Sequence, residues 1–152
     1  MPTYTMKDKG LSTTNGFVFL DCTENELYRA DGKNMTLSRE YTFKDAQGAE
    51  LLHLKQKLIS MSPTYFISGN DGQSTTLRKA GGKYTIDQPS QERIIVERSL
   101  GGKKFTFKRD GKPIANVDRK LVSMAENCTV EIADPKDSEM VLASMVAIYD
   151  MK

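Results

Sequence analysis

The sequence is poor in the residues that build metal centres and reactive sites. It has one histidine, His53, and two cysteines, Cys22 and Cys128, in no CxxC or Cys/His spacing. A zinc site therefore lacks its usual ligands, and no metal is expected. No serine or cysteine is marked as a nucleophilic partner for His53, which argues against an enzyme built on it. Charge of one sign is also scarce. Lysine and arginine total 22 against 20 acids, a net charge of +2, without the strong surplus of a nucleic-acid binder. No nucleic-acid partner is expected. The opening "MPTYTMKDKGLSTTNGF" has no apolar run of the kind a secretory signal needs, so a cytoplasmic protein with reduced, partly buried thiols is expected. The glycine-rich "KAGGK" and "LGGKK" lack the spacing and following helix of a phosphate loop, and no cofactor is expected. Missing, too, is any convincing helical period before residue 135.

What remains is strand and turn. Turn signals recur at "ADGKN" (30–34), "DAQG" (45–48), "GNDG" (69–72), "AGG" (80–82), "LGG" (100–102) and "RDG" (109–111). Such dipeptides supply the positive φ that tight hairpins require. Between them lie "GFVFLD", "ELYRA", "REYTFK", "ELLHLK", "TYFISG", "TTLRK", "KYTID", "ERIIVER", "KFTFK", "PIANVDR" and "CTVEIA", which read as short antiparallel strands. At 152 residues, with 38% hydrophobic and 28% charged, the chain suits one domain with a substantial core. The expected domain is 1–152, with 1–15 a flexible or peripheral N-terminal segment.

Two segments repeat. "YTFKDAQGAELLHLKQKLISM" (41–61) aligns with "FTFKRDGKPIANVDRKLVSM" (105–124) when Gln47 is gapped. Two copies are too few for a solenoid. They fit a repeated hairpin in two related halves of one closed sheet, which also removes exposed strand edges. Strand alternation points Phe105 and Phe107, and Tyr41 and Phe43, inward, with Thr42, Lys44, Lys104, Thr106 and Lys108 outward. His53 and Asn116 match across the copies, which suggests an outer face. A barrel lined this way needs a filler.

The tail offers one. In "DPKDSEMVLASMVAIYDMK", Asp134 can cap, Pro135 suits a first helical position, and Asp137 and Glu139 lie near the positive end of the helix dipole. Capping explains these acids more simply than a Ca²⁺ site, since they and Asp150 lack the spacing and glycine of an EF-hand loop. Met140 to Tyr149 is apolar on every side except Ser144, the mark of a membrane span or a fully buried helix. Ten residues give about 15 Å, half of a roughly 30 Å bilayer core. The acidic flanks also lack interfacial anchors. The helix is expected inside the barrel.

Strands with this repeat, ending in "CTVEIADPKDSEMVLASMVAIYDM", resemble the LURP-one-related family of the tubby C-terminal-like superfamily. The resemblance runs over roughly Gly16 to Met151. It implies about twelve antiparallel strands closed into a β-barrel around a hydrophobic C-terminal α-helix. It implies little about activity: relatives include phosphoinositide-binding tubby-like proteins and phospholipid scramblases. Tyr65 stands where many relatives carry tryptophan, and the cysteine-rich, proline-rich N-terminal region of scramblases is missing.

The densest basic cluster is "GGKKFTFKRDGK", with Lys103, Lys104, Lys108, Arg109 and Lys112 against Asp110. As one hairpin these five are candidates for anionic lipid headgroups, with a solvated, edge-protecting hairpin as the plainer reading. The expected function is a non-enzymatic module for anionic lipid or a protein partner, without a transmembrane span. The alternatives are a carrier or enzyme using the barrel mouth, or scramblase-like activity.

Overall fold

The computed structural model describes residues 2–8, 16–33, 39–57, 62–70, 72–99, 101, 103–122 and 125–151, leaving aside the side chains of 120–127. Twelve strands follow one another: β1 (Thr3–Asp8), β2 (Gly16–Leu20), β3 (Glu26–Lys33), β4 (Glu40–Asp45), β5 (Glu50–Gln56) and β6 (Thr64–Gly69), then β7 (Ser74–Ala80), β8 (Lys83–Asp87), β9 (Ile94–Arg98), β10 (Lys104–Arg109), β11 (Lys112–Val122) and β12 (Ala125–Ile132). Each pairs antiparallel with its sequence neighbour, and β1 against β12 closes the barrel. The repeated hairpins are β4–β5 and β10–β11, six strands apart and so in opposite halves. Both shift register at the same place, after the second inward aromatic, Phe43 or Phe107.

Two expectations need correction. The segment 1–15 is not wholly peripheral: Thr3–Asp8 is β1, with Thr3–Lys7 on β12 and Thr5–Asp8 on β2. Only Tyr4 and Met6 point inward and are buried, too few apolar residues to mark a strand in the sequence. Residues 9–15 lie outside the described residues. "ADGKN" is not a turn at Asp31-Gly32. The strand β3 runs through it, with Asp31 opposite Thr42 and Gly32 opposite Tyr41. Bonds from the β4 ladder, and ion pairs from Arg29 and Lys44 to the Asp31 carboxylate, outweigh the local turn preference. At Asp110-Gly111 the expected turn forms, with φ of 51° and 75°, which suits a tight hairpin.

The tail fills the barrel. Asp134 accepts the Lys136 amide at 3.1 Å and caps one 3₁₀ turn, Pro135–Asp137. The helix α1 follows, Ser138–Asp150. Val141, Leu142, Ala143, Met145, Val146, Ala147 and Ile148 are each 1% exposed or less. Burying such residues is worth roughly 1.5–3 kcal/mol for each large side chain, which makes α1 the centre of the core. Phe19, Phe43, Tyr65, Leu77 and Phe107 are among the buried strand residues in that same core. Among the described residues no helix is long and apolar enough to cross a membrane.

Candidate functional site

In a closed meander, alternate connections fall at opposite ends. The β2–β3, β4–β5, β6–β7, β8–β9 and β10–β11 hairpins lie with the start of α1, and the other connections lie with its end. This parity sorts the charges. Around the start of α1 stand Asp21, Glu24, Asp45, Glu50, Asp87, Glu92, Asp110, Asp134 and Glu139. The few cations there are largely neutralised: Arg93 binds Asp87 at 2.7 Å, and Lys136 lies 3.6 Å from Asp134.

The other end is basic. On five consecutive strands it carries Arg78, Lys79 and Lys83 around the β7–β8 turn, Arg98, Lys103 and Lys104 around the β9–β10 connection, and Arg119 on β11. The Lys103 carbonyl accepts the Arg119 amide at 2.8 Å, which ties the sector together. Arg119 lies 5.6 Å over the ring of Tyr149 on α1, a cation–π distance. The first six cations have no ion pair among the described residues.

The five candidates "KK…KR…K" therefore do not form one patch. Lys103 and Lys104 belong to the basic rim. Lys108 is on the outer wall, 3.5 Å from Glu97. Arg109 turns inward at the acidic end, where Asp137 accepts from Nη2 at 3.2 Å and Gln88 from the same nitrogen at 3.3 Å. Lys112 is exposed at the same end. Arg78, Lys79, Lys83 and Arg98 are the residues that reading by linear clusters misses.

Beside this rim α1 ends in a buried carboxylate. The Asp150 side chain is 3% exposed, at the negative end of the helix dipole, where an acid is disfavoured. Three donors compensate. Oδ1 accepts from the Arg39 guanidinium and, at 3.2 Å, from the Tyr41 hydroxyl, and Oδ2 accepts from the Tyr65 hydroxyl. Burial first, and then the adjoining carboxylate, hold both tyrosines well above their ordinary ionisation range. The phenol at 65 is thus an anchor for the end of α1.

His53 is exposed on the outer wall, 3.5 Å from Glu50, and Asn116 is exposed in the other repeat, as expected. Cys22 is exposed and Cys128 buried, neither in a disulfide, so the expected burial holds for Cys128 and not for Cys22. Among the described residues no three His, Cys, Asp or Glu side chains gather for a metal ion. At the basic end a recess of about 10 Å³ lies beside Tyr84, Arg98, Arg119 and Tyr149. At the acidic end a basin of about 430 Å³ lies against the first turn of α1.

No solved structure matches the chain. It is similar to the uncharacterized protein YxjI of Bacillus subtilis (strain 168), with 25% identity over 151 residues, 96% of this chain and 90% of the other. The LURP-one-related family description matches residues 2–150, the whole barrel together with α1, and the chain belongs to that family.

Proposed function

We propose that this tubby-like barrel is a non-enzymatic, cytoplasmic binding module that docks its basic end on anionic phospholipid. One observation carries the reading: Arg78, Lys79, Lys83, Arg98, Lys103 and Lys104 converge on one rim, and none makes an ion pair among the described residues, although Glu97 and Asp118 stand opposite Lys83 and Lys104 in the strand register. Near an anionic membrane each such cation is worth about 1 kcal/mol, so six supply about 6 kcal/mol. That corresponds to weak, reversible binding between the millimolar and micromolar range, and it should fade with salt. The acidic end then faces away from the lipid. The interior is occupied by α1, which favours a surface contact over lipid passage or a carrier cavity within the barrel.

Sedimentation with vesicles of phosphatidylcholine, with and without phosphatidylserine, tests this. Binding is expected only with the anionic lipid and should fall steeply as salt rises. The triple variant Lys83→Glu, Arg98→Glu, Lys104→Glu should abolish it, and Lys112→Glu with Lys136→Glu should not. Equal binding to neutral vesicles, or a triple variant that binds as well as the parent, would refute the proposal.

A further inference from the structure

The basin at the acidic end has a chemistry of its own, unrelated to lipid. Its apolar part is Leu51, Leu52, Ile67 and Met140. Its polar part includes the Thr75 hydroxyl, the carboxamides of Asn70, Gln73, Gln88 and Gln91, and the ionisable Glu139. At about 430 Å³ it falls within the range of small-molecule sites.

Two of the carboxamides are already oriented. The Asn70 amide nitrogen donates to the Glu50 carbonyl at 3.1 Å, which leaves its oxygen as an acceptor. The Gln88 oxygen accepts from Arg109, which leaves its NH₂ as a donor. Arg109 is itself fixed by Asp137, whose side chain is 11% exposed. Glu139 is exposed and makes no ion pair among the described residues. Among the described residues the lining contains no cation.

An anion entering here meets the Glu139 carboxylate, while the nearby Arg109 is already held by Asp137 and Gln88, and a wholly apolar ligand covers the Asn70 oxygen and the Gln88 NH₂ without bonding to them. An ammonium group is the complement. It can donate to Glu139 and to the Asn70 oxygen, and charge-assisted bonds of this kind are about twice as strong as neutral ones.

We infer that the basin binds a small organic cation: an aliphatic amine whose short carbon chain rests on Leu52, Ile67 and Met140. Its ammonium lies between Glu139 and Asn70, and a hydroxyl or carbonyl at the other end accepts from Gln88.

An amide NMR titration of the full chain tests this with aminopentanol, pentanediol and glutarate as matched cationic, neutral and anionic probes. Aminopentanol should give saturable shifts confined to Leu51–Leu52, Ile67–Gln73, Gln88–Gln91 and the first turn of α1. The other two should bind at least about tenfold more weakly, as should aminopentanol to Glu139→Gln. A second variant, Gln91→Lys, places a cation in the basin without touching Glu139 and should also displace the amine. Equal shifts from pentanediol or glutarate overturn the assignment. So does the absence of saturation by aminopentanol at about 10 mM, or unchanged affinity in Glu139→Gln.

Discussion

Replacing Asp150 by alanine should cost more than any single change on the outer wall. The carboxylate is nearly sealed, with its side chain 3% exposed, while Arg39 is 61% exposed and can return to water when the acid is gone. The two phenols cannot. Tyr41 is 5% exposed and Tyr65 is fully buried, and Asp150 is the acceptor for both hydroxyls. A buried hydroxyl left without its partner costs about 1–3 kcal/mol, so two give about 2–6 kcal/mol. The scale for breaking a buried charged pair is similar, about 3–5 kcal/mol. For a chain of this length each kcal/mol lowers Tm by about 2–4 °C, so Asp150→Ala should melt about 6–20 °C below the parent. Urea unfolding followed by circular dichroism gives the free energy, and calorimetry gives Tm. The variant Arg39→Ala keeps both phenol bonds but leaves the sealed carboxylate without its counter-charge, so it too should cost up to about 3–5 kcal/mol. A loss under about 1 kcal/mol for Asp150→Ala would refute the view that this carboxylate anchors the end of α1.

Three further outcomes follow from the same packing. Burial and the adjoining carboxylate raise the folded-state ionisation of Tyr41 and Tyr65, so their contribution is complete below about pH 10, where unfolded tyrosine ionises. It should fall above that by up to about 1.4 kcal/mol per pH unit for each tyrosine, and a flat urea-stability profile from pH 9 to 11 would contradict this. Ser144 is 0% exposed, and its hydroxyl has no partner among the described residues. Ser144→Ala should therefore stabilise by about 1 kcal/mol in urea titrations, and a destabilised variant would count against it. Truncation at Asp134 removes the filler and should give unfolded or aggregated protein, so a soluble, cooperatively melting product would show that the strands hold without α1.

Much of the fold was legible because its signals are local. Alternation marked the inward pairs Tyr41/Phe43 and Phe105/Phe107, glycine with asparagine or aspartate marked most turns, and the all-round apolar Met140–Tyr149 marked the buried helix. The failures come from long-range pairing. The strand β1 is specified less by its own composition than by the two strands it bridges. At Asp31-Gly32 a cross-strand ladder overrides a local turn preference. The basic rim was harder still, since its members span residues 78 to 104 and meet only when the meander folds. A signal did exist: "RKAGGK" and "ERSLGGKK" are basic turns, while "LDCTENE", "KDAQGAE" and "ADPKDSE" are acidic segments on connections of the opposite parity. Reading charge by turn parity, rather than by runs such as "KKFTFKR", separates Lys103 and Lys104 from Arg109 and Lys112. The bonds to Asp150 and Asp137 leave no comparable trace, because each joins side chains that only the closed barrel brings together.

The most direct measurement uses the chain's own thiols. Cys22 is exposed on the β2–β3 hairpin at the acidic end, and Cys128 is buried, so a thiol-reactive fluorophore should label Cys22 selectively. A second protein, Cys22→Ser with Lys104→Cys, carries the label on the basic rim. On phosphatidylserine-containing vesicles with a lipid-borne quencher, the label at 104 should be quenched while the label at 22 stays bright. Quenching at 22 equal to or greater than that at 104 would contradict docking through the basic end.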